Sequence, residues 1–147
     1  MPKLDPRKIL TGSDGEIYAL DGDYLGDVPE CEARYSITNI THRPMGFRGQ
    51  LRIHDFSEIT LTFTRTKITD ELLRRFKEAN DAGRQMSIDF QCVLRRPSDG
   101  AVHRSVFYQC VPDGDVTIFS YRPGEVMSEP WTFFVNGGHD LPELLGA

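Results

Sequence analysis

The chain lacks most of what a catalytic, metal-binding or membrane-spanning protein needs. Its three cysteines, Cys31, Cys92 and Cys110, are odd in number and have no C-x-x-C spacing, which indicates neither a zinc site nor a disulfide framework. Buried free thiols in a reducing compartment are the expectation. The four histidines, His42, His54, His103 and His139, form no H-x-x-x-H pair and have no cysteine beside them at zinc spacing, so they read as surface or arm residues. There is no G-x-S-x-G, no phosphate-cradling glycine motif and no H-E-x-x-H. Asp113-Gly114-Asp115 resembles the start of a calcium loop, but the twelve-residue pattern does not continue and a turn is expected. His54 and Asp55 are adjacent on a strand-like run and would point to opposite faces, which leaves His54-Asp55 with Ser57 unsuited to a triad. No catalytic residue, cofactor site or metal site is therefore expected. No apolar run is long enough to span a membrane. The opening Met1-Pro2-Lys3-Leu4-Asp5-Pro6 has no secretory h-region, so a cytoplasmic site of synthesis is expected.

A basic excess is missing too. The formal net charge of −5 over 147 residues argues against a dedicated nucleic-acid binder. The charge is segregated. Residues 12–33 carry Asp14, Glu16, Asp21, Asp23, Asp27, Glu30 and Glu32 with no Lys or Arg, and residues 105–147 carry Asp113, Asp115, Glu125, Glu129, Asp140 and Glu143 against Arg122 alone. The middle of the chain, 43–104, is net basic. Beyond an ordinary solvated surface, this pattern suits copies that meet head to tail. The length suits a single domain over 1–147.

What is present concentrates between Tyr35 and Thr66. A strand-like run, Tyr35-Ser36-Ile37-Thr38-Asn39-Ile40, leads into a long connection at about 41–57. A strict alternation follows, with Ile59, Leu61 and Phe63 on one side and Glu58, Thr60, Thr62 and Thr64 on the other. The connection carries glycines, three arginines (Arg43, Arg48, Arg52), two histidines and the apolar Met45, Phe47, Leu51, Ile53 and Phe56. Compact domains rarely keep an excursion of this length unless it is a functional arm or disordered; its apolar content points to an arm that needs a partner surface.

Around this stretch the pattern is antiparallel. Residues 16–20 and 23–28 read as a hairpin about Asp21-Gly22. A helix begins near the N-cap Thr69, carries Leu72, Leu73, Phe76 and Ala79 on one stripe, and ends at Gly83. Residues 86–94 pair with 102–110 through a three-residue loop, Ser98-Asp99-Gly100, which sets Leu94 opposite Arg104, Cys92 opposite Val106, Phe90 opposite Tyr108 and Ile88 opposite Cys110. A short strand at 116–119, a last strand at 126–135 and a terminal helical turn at 141–145 complete the reading. The sum is a mainly β fold: a sandwich or barrel of two packed antiparallel sheets, about seven or eight strands, flanked by one main helix, with a long projecting loop.

The order of these segments resembles the tail tube proteins of contractile-tailed phages and defective prophages. The resemblance covers about 11–145. It rests on Thr11-Gly12-Ser13-Asp14-Gly15-Glu16-Ile17-Tyr18, the strand 32–40, Met45-Gly46-Phe47-Arg48-Gly49 in the arm and the Thr-alternating strand. The helix, the Pro97-Ser98-Asp99-Gly100 tip, Pro130-Trp131-Thr132-Phe133-Phe134 and Leu141-Pro142-Glu143-Leu144 complete it. It implies a non-enzymatic virion protein without cofactors, whose hexameric rings stack into a hollow tube. It implies as partners a contractile sheath, a tape-measure protein, and baseplate or tube-initiator proteins, with DNA passing through the lumen without specific binding and no membrane contact. The fold is shared with type VI secretion tube proteins. Under the resemblance, Arg43, Met45, Phe47, Arg48, Arg52 and Phe56 are inter-subunit contacts, with Asp14, Asp21, Asp23 or Asp113 of a neighbour as partners for the arginines. Glu58, Thr60, Thr62 and Thr64 are lumen-facing, with Ser36 and Thr38 beside them. A tube of a type VI-like or phage-tail-like bacteriocin particle, or a small β-barrel binding a ligand or nucleic acid through the arm, are the alternative readings.

Overall fold

The computed structural model describes residues 15–19, 28–66, 70–98 and 100–145. Among them are seven strands and one helix: β1 (Gly15–Ala19), β2 (Glu30–His42), β3 (Leu51–Thr66), α1 (Glu71–Asp81), β4 (Ile88–Arg95), β5 (Val102–Pro112), β6 (Ser128–Val135) and β7 (His139–Glu143). The hairpin expected about Asp21-Gly22, the N-cap Thr69 and the Thr11–Asp14 segment lie outside the described residues.

Every pairing is antiparallel, and the strands form one continuous sheet in the order β1-β4-β5-β6-β3-β2, with β7 added to β5. The mainly β, helix-flanked sandwich therefore holds, but its two layers are the ends of one curled sheet rather than two separately bonded sheets. The curl follows from alternation. Ile59, Leu61 and Phe63 of β3, Ile88 and Phe90 of β4, and Trp131, Phe133 and Val135 of β6 are all buried in one cluster, so the apolar rows of distant strands must turn toward each other. Phe63, Phe90 and Phe133 meet there at centroid distances of 4.9 to 5.7 Å, the range of favourable ring packing. At the margin of the core, buried Arg65 faces buried Glu129 across β3 and β6, and Trp131 Nε1 donates to the Glu129 carboxylate.

Helix α1 buries Leu72 and packs Leu73, Phe76 and Ala79 against the same core. Its C-terminus is closed by Gly83 N–H to Asn80 O at 3.1 Å and Arg84 N–H to Ala79 O at 2.8 Å, with Gly83 at φ 70°. This is the paired closure that a left-handed glycine permits.

The β4–β5 register departs from expectation. Arg96 N–H bonds Ala101 O at 2.7 Å, and Gly100 sits at φ 72°. The loop is thus one residue longer than expected, and Leu94 faces His103, Cys92 faces Ser105 and Phe90 faces Phe107. The slip is undone further along, where Ile88 regains Cys110 through a bulge. Gln109 adopts φ 51° there, and its N–H is held by Asp89 Oδ1 at 2.7 Å. The same bulge lets β5 change partners, from β7 along 104–107 to β6 along 110–112. Residues 116–119 form no strand, and 141–145 form no helical turn. His139–Glu143 is instead β7, recruited by the open edge of β5.

Candidate assembly surface

Residues 41–57 are not an irregular loop. Strand β2 continues to His42 and β3 begins at Leu51, so only 43–50 lie outside the ladder. The tip is organised by Phe47 N–H to Pro44 O at 3.2 Å with Gly46 at φ 81°, the third position of a type II turn where glycine is favoured. Strand β3 pairs with β6 only from Thr60 onward. The first eight residues of β3, Leu51 to Glu58, therefore project with β2 as their sole strand partner among the described residues, roughly 26 Å at strand rise. An isolated two-stranded ribbon of this kind is marginal in water.

One bulge decides what the ribbon presents. Thr38 faces Phe56, but Asn39 faces His54, so Asp55 is the extra residue. Beyond it Ile40 faces Ile53 and His42 faces Leu51, while Thr41 faces Arg52. The flip brings Ile40, Leu51, Ile53 and Phe56 onto one face and leaves Asn39, Thr41, Arg52 and His54 on the other. Residues Ile40, Met45, Phe47, Leu51, Ile53 and Phe56 are all exposed, Met45 fully so. Arg43, Arg48 and Arg52 have no carboxylate partner among the described residues. Of the expected acidic partners, Asp113 is exposed, and Asp14, Asp21 and Asp23 lie outside the described residues.

Glu58, Thr60, Thr62 and Thr64 occupy one row on the outward face of β3. They sit opposite Ser36, Arg34, Glu32 and Glu30 of β2 respectively, and Thr60, Thr62 and Thr64 also face Phe134, Thr132 and Pro130 of β6. The face is broader and more charged than β3 alone suggests. Glu30, Glu32 and Glu58 outnumber Arg34, which is itself paired to Glu32 at 2.8 Å. The signal was present in the alternation of Glu30, Glu32 and Arg34 with Cys31, Ala33 and Tyr35.

The inward row of β2 closes over the other end of the sheet and leaves a cleft of about 760 Å³ against β4, β5 and β7. Two contacts bridge it. Cys31 and Cys92 bring their sulfurs to 3.8 Å, and Tyr35 Oη lies 3.1 Å from His139 Nδ1. Neither was expected. His103 and His139 are half-buried rather than surface residues: the His139 ring stacks on Phe107 at 4.7 Å, and His103 Nε2 lies 3.0 Å from Ser105 Oγ. Cys31 is exposed and Cys92 half-buried, so of the three thiols only Cys110 is fully enclosed. A second apolar stretch that sequence reading missed is Ile118, Phe119, Tyr121 and Val126, all exposed on the segment between β5 and β6. Read as a strand, it had no reason to stand out. No group of three or more His, Cys, Asp or Glu side chains is gathered for a metal among the described residues.

Neither a protein-family model nor a curated protein matches the chain. Solved structures do. A chain of the PVC sheath–tube complex of an extracellular contractile injection system, in its extended state, superposes with a TM-score of 0.66 at 11% identity, covering 90% of this chain and 92% of that one. A chain of the native gene transfer agent virion gives 0.64 at 11% identity, over 90% and 98%. A chain of the anti-feeding prophage tube-terminating cap gives 0.63 at 11% identity, over 95% and 96%. The protein has a phage-tail-tube-like fold.

Proposed function

We propose that the chain is a structural protomer of a phage-tail-like tube, built from hexameric rings that stack around a lumen inside a contractile sheath. The observation that carries the reading is the ribbon of β2 and β3. It projects an apolar face and unpaired arginines that nothing described in the subunit covers, and apolar surface of this kind marks an interaction site. Burying Phe47, Phe56, Ile53 and Met45 on a neighbour supplies most of the association energy. The arginines set orientation against the acidic flanks. Side-by-side subunits close the exposed edges that an open seven-stranded sheet leaves. In this arrangement the Glu58, Thr60, Thr62 and Thr64 row, with Glu30, Glu32 and Arg34, is a polar and net acidic wall that offers a passing polyanion little to hold. The neighbours' sheath, cap and baseplate contexts support this reading, in which a sheath, a tape-measure protein and baseplate proteins are its partners and the virion tail its location.

The arrangement does not favour the nucleic-acid reading. Stacking of bases between aromatics and arginines needs both on one surface, and the bulge at Asp55 separates Phe56 from Arg52. Electron microscopy of the concentrated purified protein tests the proposal. Rings or tubes are expected from the full chain, and a folded monomer from a chain lacking Met45–Gln50. A full chain that stays monomeric under all conditions, and forms no tubes in induced cells, would overturn it.

A further inference from the structure

We propose that Cys31 and Cys92 are a redox-active pair that closes into an intramolecular disulfide on meeting a hydroperoxide, stapling the edge strand β2 to β4 across the open side of the sheet. The proposal is independent of the assembly reading. The two residues belong to strands far apart in the sheet order, yet their sulfurs lie 3.8 Å apart. Register explains the meeting. Cys31 faces buried Phe63 and Cys92 faces buried Ile17, so both point into the space between the layers. A disulfide needs about 2.05 Å, so the sulfurs close the remaining gap as the bond forms. Both line the cleft, and Cys31 is exposed, so a small oxidant reaches it.

The pair is chemically asymmetric. Either sulfur can donate across the contact; hydrogen bonding to Cys92 lowers the Cys31 pKa below its ordinary value, and the same contact, with burial, raises that of Cys92. Cys31, the exposed member of the pair, is the nucleophile, and half-buried Cys92 the resolving thiol. The Cys31 thiolate attacks one peroxide oxygen, the O–O bond breaks, and the departing oxygen takes a proton and leaves as water or alcohol. The Cys92 sulfur then attacks the sulfur of the resulting Cys31 sulfenic acid. The S–O bond breaks and the hydroxide leaves with the Cys92 proton as water. Two thiols are oxidised and one peroxide is reduced. Cys110 takes no part: burial holds its thiol up at about 12, and it is paired with Ile88, four residues from Cys92 along β4, roughly 13 Å.

The closed loop contains the whole arm and α1, and long loops gain most from cross-linking. Full-length protein, reduced, desalted and exposed to hydrogen peroxide, should lose two of its three thiols. A non-reducing tryptic map should join the Cys31 and Cys92 peptides. The thermal midpoint should rise by roughly 10 °C and fall back with dithiothreitol. Cys110→Ser should behave as the native chain, while Cys31→Ser and Cys92→Ser should lose the rise. Three thiols surviving oxidation would overturn the proposal, as would Cys31 oxidised without a joined peptide, or bridges found only between chains. If either serine variant fails to fold, the peptide map of the native chain decides alone.

Discussion

Tyr35 and His139 join the edge strand β2 to β7 across the cleft: the phenol of β2 lies 3.1 Å from Nδ1 of β7, and the imidazole is stacked on Phe107. Burial lowers the His139 pKa, and nearby His103 adds to this, while Asp140 opposes it. A histidine whose folded pKa lies below its unfolded value binds its proton more readily in the unfolded chain. Stability from this group is thus fully present above about pH 6.5 and is lost as pH falls through the depressed folded value. Urea midpoints should decline between pH 7 and pH 5, and His139→Gln should flatten that part of the profile. An unchanged slope in the variant would assign the pH dependence elsewhere.

Gly137 stands where no side chain fits. A Cβ there would lie 2.8 Å from Tyr108 Cβ and 2.9 Å from Tyr108 O, because Gly137 N–H bonds Tyr108 O at 2.9 Å beside the β5 bulge. The obstacle is partly backbone and cannot rotate away. Gly137→Ala should cost about 1–3 kcal/mol, read as a lower denaturant midpoint with an unchanged slope. A neutral outcome would mean that the β5 partner exchange is loosely held.

How much of this was legible in the chain follows from where local pattern decides structure. The period-two rows of β3 and the helical stripe of α1 name their own buried faces, because one side must leave water. The Gly83 ending was equally readable. The tip of β4–β5 was misread because three- and four-residue loops both place a glycine at the left-handed position. Only the later bulge at Gln109, a long-range compromise between β6 and β7, restores the register. Strand β7 could not be read as such, since Leu141-Pro142-Glu143 takes its conformation from the edge of β5. The arm residues were visible as exposed apolar groups, but not their common face. The clue was a parity break, with Leu51 and Ile53 at odd positions and Phe56 at an even one.

That break yields a prediction. Inserting one residue between Thr38 and Asn39 gives Asp55 a partner, removes the bulge, and should move Leu51 and Ile53 to the face opposite Phe56 without disturbing the core, which begins at Ile59 on β3. The variant should fold with a near-native midpoint but form no tubes. Normal tubes from the insertion chain would show that the bulge does not arrange the contact face.

The arm cations give the last prediction. Arg43, Arg48 and Arg52 are exposed and have no carboxylate partner among the described residues, so a neighbouring chain's acids are available to them at small desolvation cost. Exposed pairs contribute about 0.2–1 kcal/mol each, so replacing all three with alanine should raise the concentration needed for assembly several-fold to tens-fold. Screening sharpens the test. The Debye length falls from about 10 Å at 0.1 M to about 3 Å at 1 M salt, so assembly of the native chain should weaken with added sodium chloride, whereas the triple variant should respond little. Phe47→Ala should differ in kind: it removes apolar contact, so assembly should drop with the salt dependence retained. Sedimentation of assembled material across a salt series separates the two. A triple variant as salt-sensitive as the native chain would move the electrostatic contact off the arm. A salt-insensitive native chain would leave the apolar face of the ribbon as the sole source of affinity.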